Sequence, residues 1–476
     1  MKVVNSNSAE TSHPPPERLA APWSRPFIGM TSSLAMLLLV AGCGPTAGDN
    51  SSEQGLEPAV PGDVVSSWNQ AAQTAIVTVA GAPPAQDSYW SAIMHVAIYD
   101  AVTAVGGRGG RYMPLVASPT PRNPASREAA AVAAAHYVLS TLLPSQKATF
   151  DTKLASDLAQ IPDGKKKDNG VAMGVEAAQQ VLAAHDGVIP AVTYTPPSGP
   201  GNWQPTPPAF ATVTPGLPLV KPFTMSSPSQ FRPGPPPALT SDVWTRDYNE
   251  TKNYGGGGDG PNLATDEQKN IGRLYGVEHP GAQYHRVVRR IAQESELSLT
   301  EAARFFAMVY VGFIDSSIAC WEAKFHYNFW RPYTAIRNGD TDGNDATVPD
   351  PNWTPLVPTP GHPEYPAAHG CFTGGFVEVL RAYFGTDQVH VIIDSAPTGL
   401  SHEFFDLHDL NAEIILARIY GGMHYRNSVE VGLGMGAGIA TQLSTHFFQR
   451  LREESRDRRE DEIRRSDDRP NPGPTR

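Results

Sequence analysis

Cysteine is almost missing from this chain: three in 476 residues, at positions 43, 320 and 371. So few thiols exclude a disulfide-built scaffold. Charge is also sparse, at 18% of residues, and the balance of 37 Lys and Arg against 48 Asp and Glu gives a net charge of -11. No basic block is present to offset phosphates, which argues against nucleic acid or an anionic membrane surface as a partner. Near the start the only strongly apolar run is Leu34 to Val40. It is far short of the roughly 20 residues that a membrane span needs.

What the chain has in excess is Gly and Pro, 43 and 45 residues, so long irregular connections are expected between its elements. Arg18 and Arg25 precede the short apolar run, and Val40-Ala-Gly-Cys43 follows it. That pattern resembles a bacterial lipoprotein signal over residues 1–42, cleaved before a Cys43 that then carries lipid. It implies an exported, periplasmic or cell-surface protein that touches the membrane only through that anchor. Residues 43–62, rich in Gly, Ser, Pro and acid, read as a tether. Cys320 and Cys371 are expected as buried, unlinked thiols.

From Val64 onward apolar residues recur at helical spacing. Val64 to Val79, Ser88 to Val105, Ser126 to Leu143, Asp151 to Ile161 and Asn169 to His185 form an N-terminal helical bundle over 63–185. His95 and Asp100 are expected to play structural parts in it. Residues 186–262 break the rhythm with Pro196-Pro-Ser-Gly-Pro-Gly, Gly234-Pro-Pro-Pro and Gly255-Gly-Gly-Gly, and read as a covering loop with enough aromatic surface to pack over the core. Helices return over 263–450, at Asp266 to Tyr275, Tyr284 to Glu294, Leu299 to Trp330, Phe372 to Phe384, His402 to Tyr420 and Ser428 to Leu451. A charged tail, 451–476, ends the chain. The fold class is all-α, two helical bundles joined by Pro/Gly-rich loops, with no convincing strand.

Chemistry concentrates in Lys324-Phe-His-Tyr-Asn-Phe-Trp-Arg331-Pro332. Seven residues separate the two cations, which on one continuous helix places them on one face, two turns apart. Phe325, Tyr327, Phe329 and Trp330 would surround them with apolar surface. Cations held so close are expensive to desolvate unless an anion lies between them. Pro366-Ala367-Ala368-His369-Gly370 adds a His beside small residues, and Arg418-Ile-Tyr-Gly-Gly-Met-His424 adds an Arg and a second His.

Lys, Arg, His, Arg, His in this order and spacing resembles the signature of the vanadium-dependent haloperoxidases and type-2 phosphatidic acid phosphatases. The likeness is most specific over residues 315 to 435. It implies vanadate as the cofactor, with no haem, and hydrogen peroxide, halide and a small organic acceptor as partners; assembly as a homodimer is left open. Lys324, Arg331 and Arg418 would neutralise the oxyanion, backbone N–H groups near Ala368 to Gly370 would add donors, and His424 would be the metal ligand. His369 would be the acid–base group, titrating near neutrality. Trp321 and His362 fall where the family flanks the halide, and a His there resembles the bromide-oxidising members. Two departures stand out: Ala367-Ala368 replaces the usual Ser-Gly, and Ser428 stands where an Asp behind the ligand His is common, so Ser428 would orient His424 less firmly.

The leading expectation is therefore a haloperoxidase that oxidises halide, bromide favoured, to hypohalous acid. Two alternatives remain. One is an acid phosphatase with His424 as nucleophile and His369 protonating the leaving group. The other is a lipoprotein that binds an oxyanion without catalysis.

Overall fold

One helix, apolar on every side, sits at the centre of the molecule. Helix α9, Leu299–Tyr327, opens on a capping box in which Ser298 and Glu301 satisfy each other's backbone N–H groups. Every residue from Ala302 to Trp321 is buried. Its length and composition would suit a membrane span, but here it is sheathed entirely in protein and serves as the core helix.

The computed structural model describes residues 63–105, 124–258, 260 and 262–448. The proposed leader, tether, Cys43 and charged tail lie outside these residues. Before the central helix come α1 (Asp63–Gln73, continued by a π-helical turn Thr74–Val79), α2 (Pro84–Ala104), α3 (Arg127–Leu142), α4 (Lys147–Ala159), α5 (Lys165–Ala184), α6 (Asp242–Tyr254), α7 (Asp266–Leu274) and α8 (Pro280–Glu294). After it come α10 (Pro332–Arg337), α11 (Ala368–Phe384), a hairpin of β1 (Val391–Ser395) and β2 (Leu400–Phe404), α12 (Leu407–Tyr420) and α13 (Arg426–His446). Among the described residues the protein is all-α apart from that hairpin. One hydrophobic cluster runs from Val65 of α1 to Phe448, so helices from both ends of the chain share a core. A second cluster, with Trp244, Tyr248, Phe329, Trp330, Trp353 and Tyr425, lies apart from it. His95 is buried, bonded to Asn69 at 2.9 Å and stacked on Tyr310, as a structural residue would be.

Three elements differ from the sequence reading. The helix expected to run to Trp330 stops at Tyr327, where Asn328 takes a left-handed conformation (φ 50°) as its C-cap. Arg331 then becomes the N-cap of α10, with Pro332 at the first helical position. Lys324 and Arg331 therefore do not stack on one helix; a chain reversal brings them together. The region read as helix from His402 begins instead as an antiparallel hairpin, Val391 opposite Phe404, and α12 starts only at Leu407 behind an Asp406 cap. The alternating burial of β1 is a strand signal, too short to weigh against the helical stretches around it. Finally, α6 lies inside the 186–262 stretch, capped by Ser241.

The rest of that stretch is tied down by hydrogen bonds. Asp315 of α9, fully buried, accepts from the N–H groups of Phe223 and Thr224 at 2.7 Å each and from the Thr224 hydroxyl at 2.5 Å. Burial pushes that carboxyl up to about 6, partly offset by these donors. Trp203 N–H donates to Asn328 O, Trp330 N–H to Gly201 O and Val213 N–H to Gly361 O, so the segment fastens onto both loops that carry candidate site residues.

Helices α11 and α13 touch backbone to backbone. A Cβ built on Gly374 would fall 2.2 Å from Leu433 O, with no flexible side chain to yield. Gly374→Ala is therefore expected to cost about 2–4 kcal/mol, by overpacking, in reversible urea unfolding. A loss within about 0.5 kcal/mol would show the approach to be looser than described.

Candidate functional site

Four separate segments deliver the candidate residues. Lys324 comes from the last turn of α9, and Arg331 from the corner between α9 and α10. The extended 342–367 loop supplies His362 and ends at α11, whose second residue is His369. Arg418 closes α12, and the Gly421-Gly422 turn, with Gly422 at φ 72°, lifts the chain so that His424 points back inward.

Lys324, Arg331, Arg418 and His424 are all at most 1% exposed. The Lys324 ammonium donates to the carbonyls of Pro363 at 3.0 Å and Glu364 at 2.9 Å, and also to Pro366 O. Arg331 donates through Nε to His362 O at 2.9 Å and through Nη1 to Met423 O at 2.8 Å. The same Nη1 faces His424 Nε2 at 2.9 Å, and Nη2 faces His362 Nδ1 at 3.0 Å. Arg418 donates to Tyr275 O at 3.0 Å and to Met423 Sδ at 3.3 Å, but its Nε is buried without a partner. His369 Nε2 is likewise buried and unpartnered.

The residue that sequence reasoning missed is Glu364. Fully buried, it accepts from His424 Nδ1 at 2.7 Å and from Tyr425 N–H at 3.2 Å. The acceptor behind His424 is thus a carboxylate from a distant loop, not Ser428. Ser428 is buried nearby, and its hydroxyl makes no hydrogen bond to His424. Asn427, next to it in the chain, turns its N–H to Asp247. No local signal distinguished Glu364, because 60 residues separate it from its partner. The consequence is a fixed tautomer: Nδ1–H points at Glu364, and the Nε2 lone pair faces the guanidinium of Arg331.

Two of three buried cations, Lys324 and Arg331, act on one buried carboxylate, Glu364, while Arg418 faces Arg331, and the electrostatics register the imbalance. Burial first, and then mutual repulsion, pushes Lys324 down to about 8 and Arg418 down to about 9; Arg331, held down mainly by burial, falls to about 10. Burial raises Glu364 to about 7, although Lys324 and Arg331 pull against it. The three imidazoles are driven well below their ordinary value, by burial first and then by cations: Arg418 above all for His369, Lys324 for His362, Arg331 for His424. His369, expected to titrate near neutrality, is therefore neutral in this environment; an anion among the cations would let it rise. Trp321 and His362 are buried with ring centroids 4.7 Å apart, and Trp321 donates to Val213 O of the covering segment. His362 is buried although it lies on a loop. Cys320 and Cys371 are buried free thiols.

Ala367 is the N-cap of α11. The first-turn N–H groups at Ala368, His369 and Gly370 have no intrahelical acceptor by construction, and the helix dipole there favours an anion. Among the described residues no group of three or more His, Cys, Asp or Glu could enclose a bare metal cation. An oxyanion of a metal needs only one protein ligand and a ring of cations. Unpartnered Arg418 Nε, the lone pair of His424 Nε2 and an uncompensated positive charge fit vanadate, and equally phosphate.

A buried cluster of three cations around one inward-facing imidazole, carried by the helices of one bundle and the turns between them, defines the site. Residues 304–453 match the VCPO second helical-bundle domain, and the fold is similar to that of vanadium-dependent haloperoxidases. The vanadium chloroperoxidase of Curvularia inaequalis is 29% identical over 147 residues, 28% of this chain and 24% of that protein, so the match spans about a quarter of the curated relative's length. The solved structure of a bacterial vanadium-dependent iodoperoxidase superposes with a TM-score of 0.68 at 25% identity, covering 83% of this chain and 98% of its own. A holo-type bacterial vanadium-dependent chloroperoxidase shares the fold, with a TM-score of 0.62 at 18% identity, over 78% of this chain and 93% of its own.

The lowered Lys324 predicts how anions bind. An oxyanion stabilises the ammonium, so above about pH 8 binding must take up a proton, and affinity falls about tenfold per pH unit. Ionisation of Glu364 near pH 7 repels the anion and adds a lower step of the same sign. Calorimetric titration with sulfate, whose charge is constant over this range, should show both steps. Lys324→Met should abolish the upper step; its persistence would place the titration elsewhere.

Proposed function

We propose that the protein is a vanadate-dependent haloperoxidase that oxidises halide with hydrogen peroxide to hypohalous acid, bromide ahead of chloride. The observation that carries this reading is the pair of contacts on His424: Nδ1 against the Glu364 carboxylate and Nε2 against the Arg331 guanidinium, in a buried setting where Lys324 and Arg418 also press their charge on the imidazole. His424 Nε2 would hold vanadium, while Lys324, Arg331, Arg418 and the first-turn N–H groups of α11 would hold its oxygens. Bound vanadate supplies a Lewis-acid centre that activates peroxide toward two-electron oxidation of a halide, with no change of metal oxidation state and no haem. His369 would carry the proton that enters or leaves at its Nε2, where the structure leaves a buried nitrogen without a partner. Trp321 and His362 would flank the halide. A carboxylate behind His424 makes that imidazole a stronger donor, which tempers the Lewis acidity and suits bromide or iodide better than chloride.

Glu364 also favours a second reading. A His activated by a carboxylate is what a nucleophilic phosphatase requires, with Nε2 attacking phosphorus and His369 protonating the departing oxygen. Orthovanadate added to the purified protein separates the cases. The first predicts bromination of a diketone reporter that needs both vanadate and peroxide. The second predicts phosphate-ester hydrolysis inhibited by vanadate, and neither activity leaves a non-catalytic oxyanion binder. Under the first, His424→Ala should abolish vanadium retention, whereas His369→Ala should retain vanadium and lose at least a hundredfold in turnover. Full bromination by either variant would overturn the assignment.

We place the protein, as part of the same proposal, outside the cytoplasm on a lipid tether at Cys43; the support is the apolar run and Ala-Gly-Cys pattern at residues 34–43. Metabolic labelling with palmitate should mark the wild type and not Cys43→Ser. Equal labelling of both would remove the anchor.

A further inference from the structure

The three cations are not held alike. Lys324 has carbonyls on every side, and Arg331 has two carbonyls as well as two imidazoles. Arg418 has one oxygen, the carbonyl of Tyr275 at 3.0 Å; its other contact is the Met423 sulfur, a weak acceptor, and its Nε has no partner. A side chain as long as arginine has many rotamers to lose, so the place of this guanidinium follows that of a single backbone oxygen.

Tyr275 is gripped from several directions. It is the C-cap of α7, and that helix meets the end of α12 backbone to backbone: a Cβ on Gly272 would fall 2.9 Å from Gly421 N and 3.0 Å from Tyr420 C. The Tyr275 ring is buried, and its hydroxyl donates to Glu413 Oε1 at 2.9 Å. Glu413 and Arg418 both belong to α12, little more than one turn apart, so one residue holds that helix at two points, by its hydroxyl and by its carbonyl. The other oxygen of Glu413 faces Nδ1 of His402, on β2, at 2.8 Å, and this carboxylate raises the imidazole above its ordinary value. Strand β1 braces the same corner. Gln283 of α8 donates to Leu274 O at 3.1 Å and to Asp394 O at 2.7 Å, while Arg286 pairs with Glu278 and Asp394. The charges that tell on Arg418 are those of Arg331 and Tyr284, after burial itself, so Glu413 acts on the guanidinium by placement.

We infer that Tyr275 is a positioning residue for Arg418: its carbonyl fixes the guanidinium, and its ring, tied to Glu413 and through it to His402 of the hairpin, fixes the carbonyl. The inference rests on the oxyanion reading of the site and deepens it, because it names what keeps the least-held cation in place before an anion arrives. A guanidinium free to sample several rotamers has to be ordered when the anion binds, and affinity falls by that cost.

Calorimetric titration of the purified protein with sulfate, at one pH below the Lys324 step, reads the effect. Tyr275→Phe keeps the carbonyl and the packed ring but loses the hold on Glu413, and should weaken sulfate about fivefold. Glu413→Leu should do the same, whereas Glu413→Gln, which keeps an oxygen for the Tyr275 hydroxyl, should bind within about twofold of the wild type. Tyr383→Phe removes a buried hydroxyl that donates to Glu301 O, near the other end of α11 from His369. As the control for general loosening, it should also stay within about twofold. In an Arg418→Met background, followed at the higher sulfate concentrations that Lys324 and Arg331 alone require, Tyr275→Phe should add nothing, since no guanidinium is left to place. Unchanged binding by Tyr275→Phe, an equal loss in Tyr383→Phe, or a loss that persists without Arg418 overturns the inference and leaves the oxyanion site standing. A wild type that binds neither sulfate nor vanadate removes the site itself, and the inference with it.

Discussion

Uncompensated positive charge, buried, is the constraint on which this structure turns. Lys324, Arg331 and Arg418 are withdrawn from water against a single carboxylate, Glu364, and each is driven toward its neutral form. Removing three cations from water costs several kcal/mol apiece unless partners replace the lost hydration. The protein supplies some partners as backbone carbonyls, three of them on Lys324 alone. Carbonyl dipoles ease a cation without cancelling it, so an attraction for anions remains. The site is poised to gain stability from an oxyanion, and its geometry is set before one arrives.

Holding such a site together takes rigid surroundings on each side. The backbone contact between α11 and α13 fixes the helix that carries His369 next to the chain leading on from His424, and no side chain intervenes to flex. On the opposite side Trp244, Phe329, Trp330 and Tyr425 pack into one aromatic block; Trp244 and Trp330 stack at 5.9 Å between centroids. Arg331 and His424 are direct neighbours of that block in sequence. The covering segment then seals the loops, with Asp315 holding Phe223 and Thr224 from inside the core helix. Each of these devices restrains a loop that carries a candidate residue, which is where conformational entropy would otherwise blur the geometry.

Much of this was legible in the residue order, for a physical reason. Helical periodicity is a local property, and the core helix and the N-terminal helices follow from it. The cationic residues were legible because a Lys and an Arg among aromatics are costly, and cost marks purpose. What escaped was non-local or sterically subtle. The left-handed turn at Asn328 depends on one residue's tolerance of positive φ, and it changed the means by which Lys324 and Arg331 meet. The hairpin at 391–404 is five residues a side and was overrun by the helical signal that follows it. Glu364 was invisible because its role exists only once a loop folds back over Arg331, and Ser428 drew attention simply by being close to His424 in the chain.

The position of Glu364 has a further consequence. A carboxylate four residues along the same helix would move with its His; one carried on a separate loop couples the orientation of His424 to the fold of residues 342–367. On that same loop three carbonyls accept from Lys324 and one, that of His362, accepts from Arg331. Ligand orientation and cation placement therefore rest on one stretch of backbone, and neither can be disturbed alone. An anion that draws Lys324 or Arg331 toward itself pulls on the loop that fixes the lone pair of His424. Binding strength and ligand geometry are mechanically linked, which explains why a helix N-terminus lacking the usual hydroxyl at position 367 still sits in a coherent site: the loop, rather than any one donor, sets its shape.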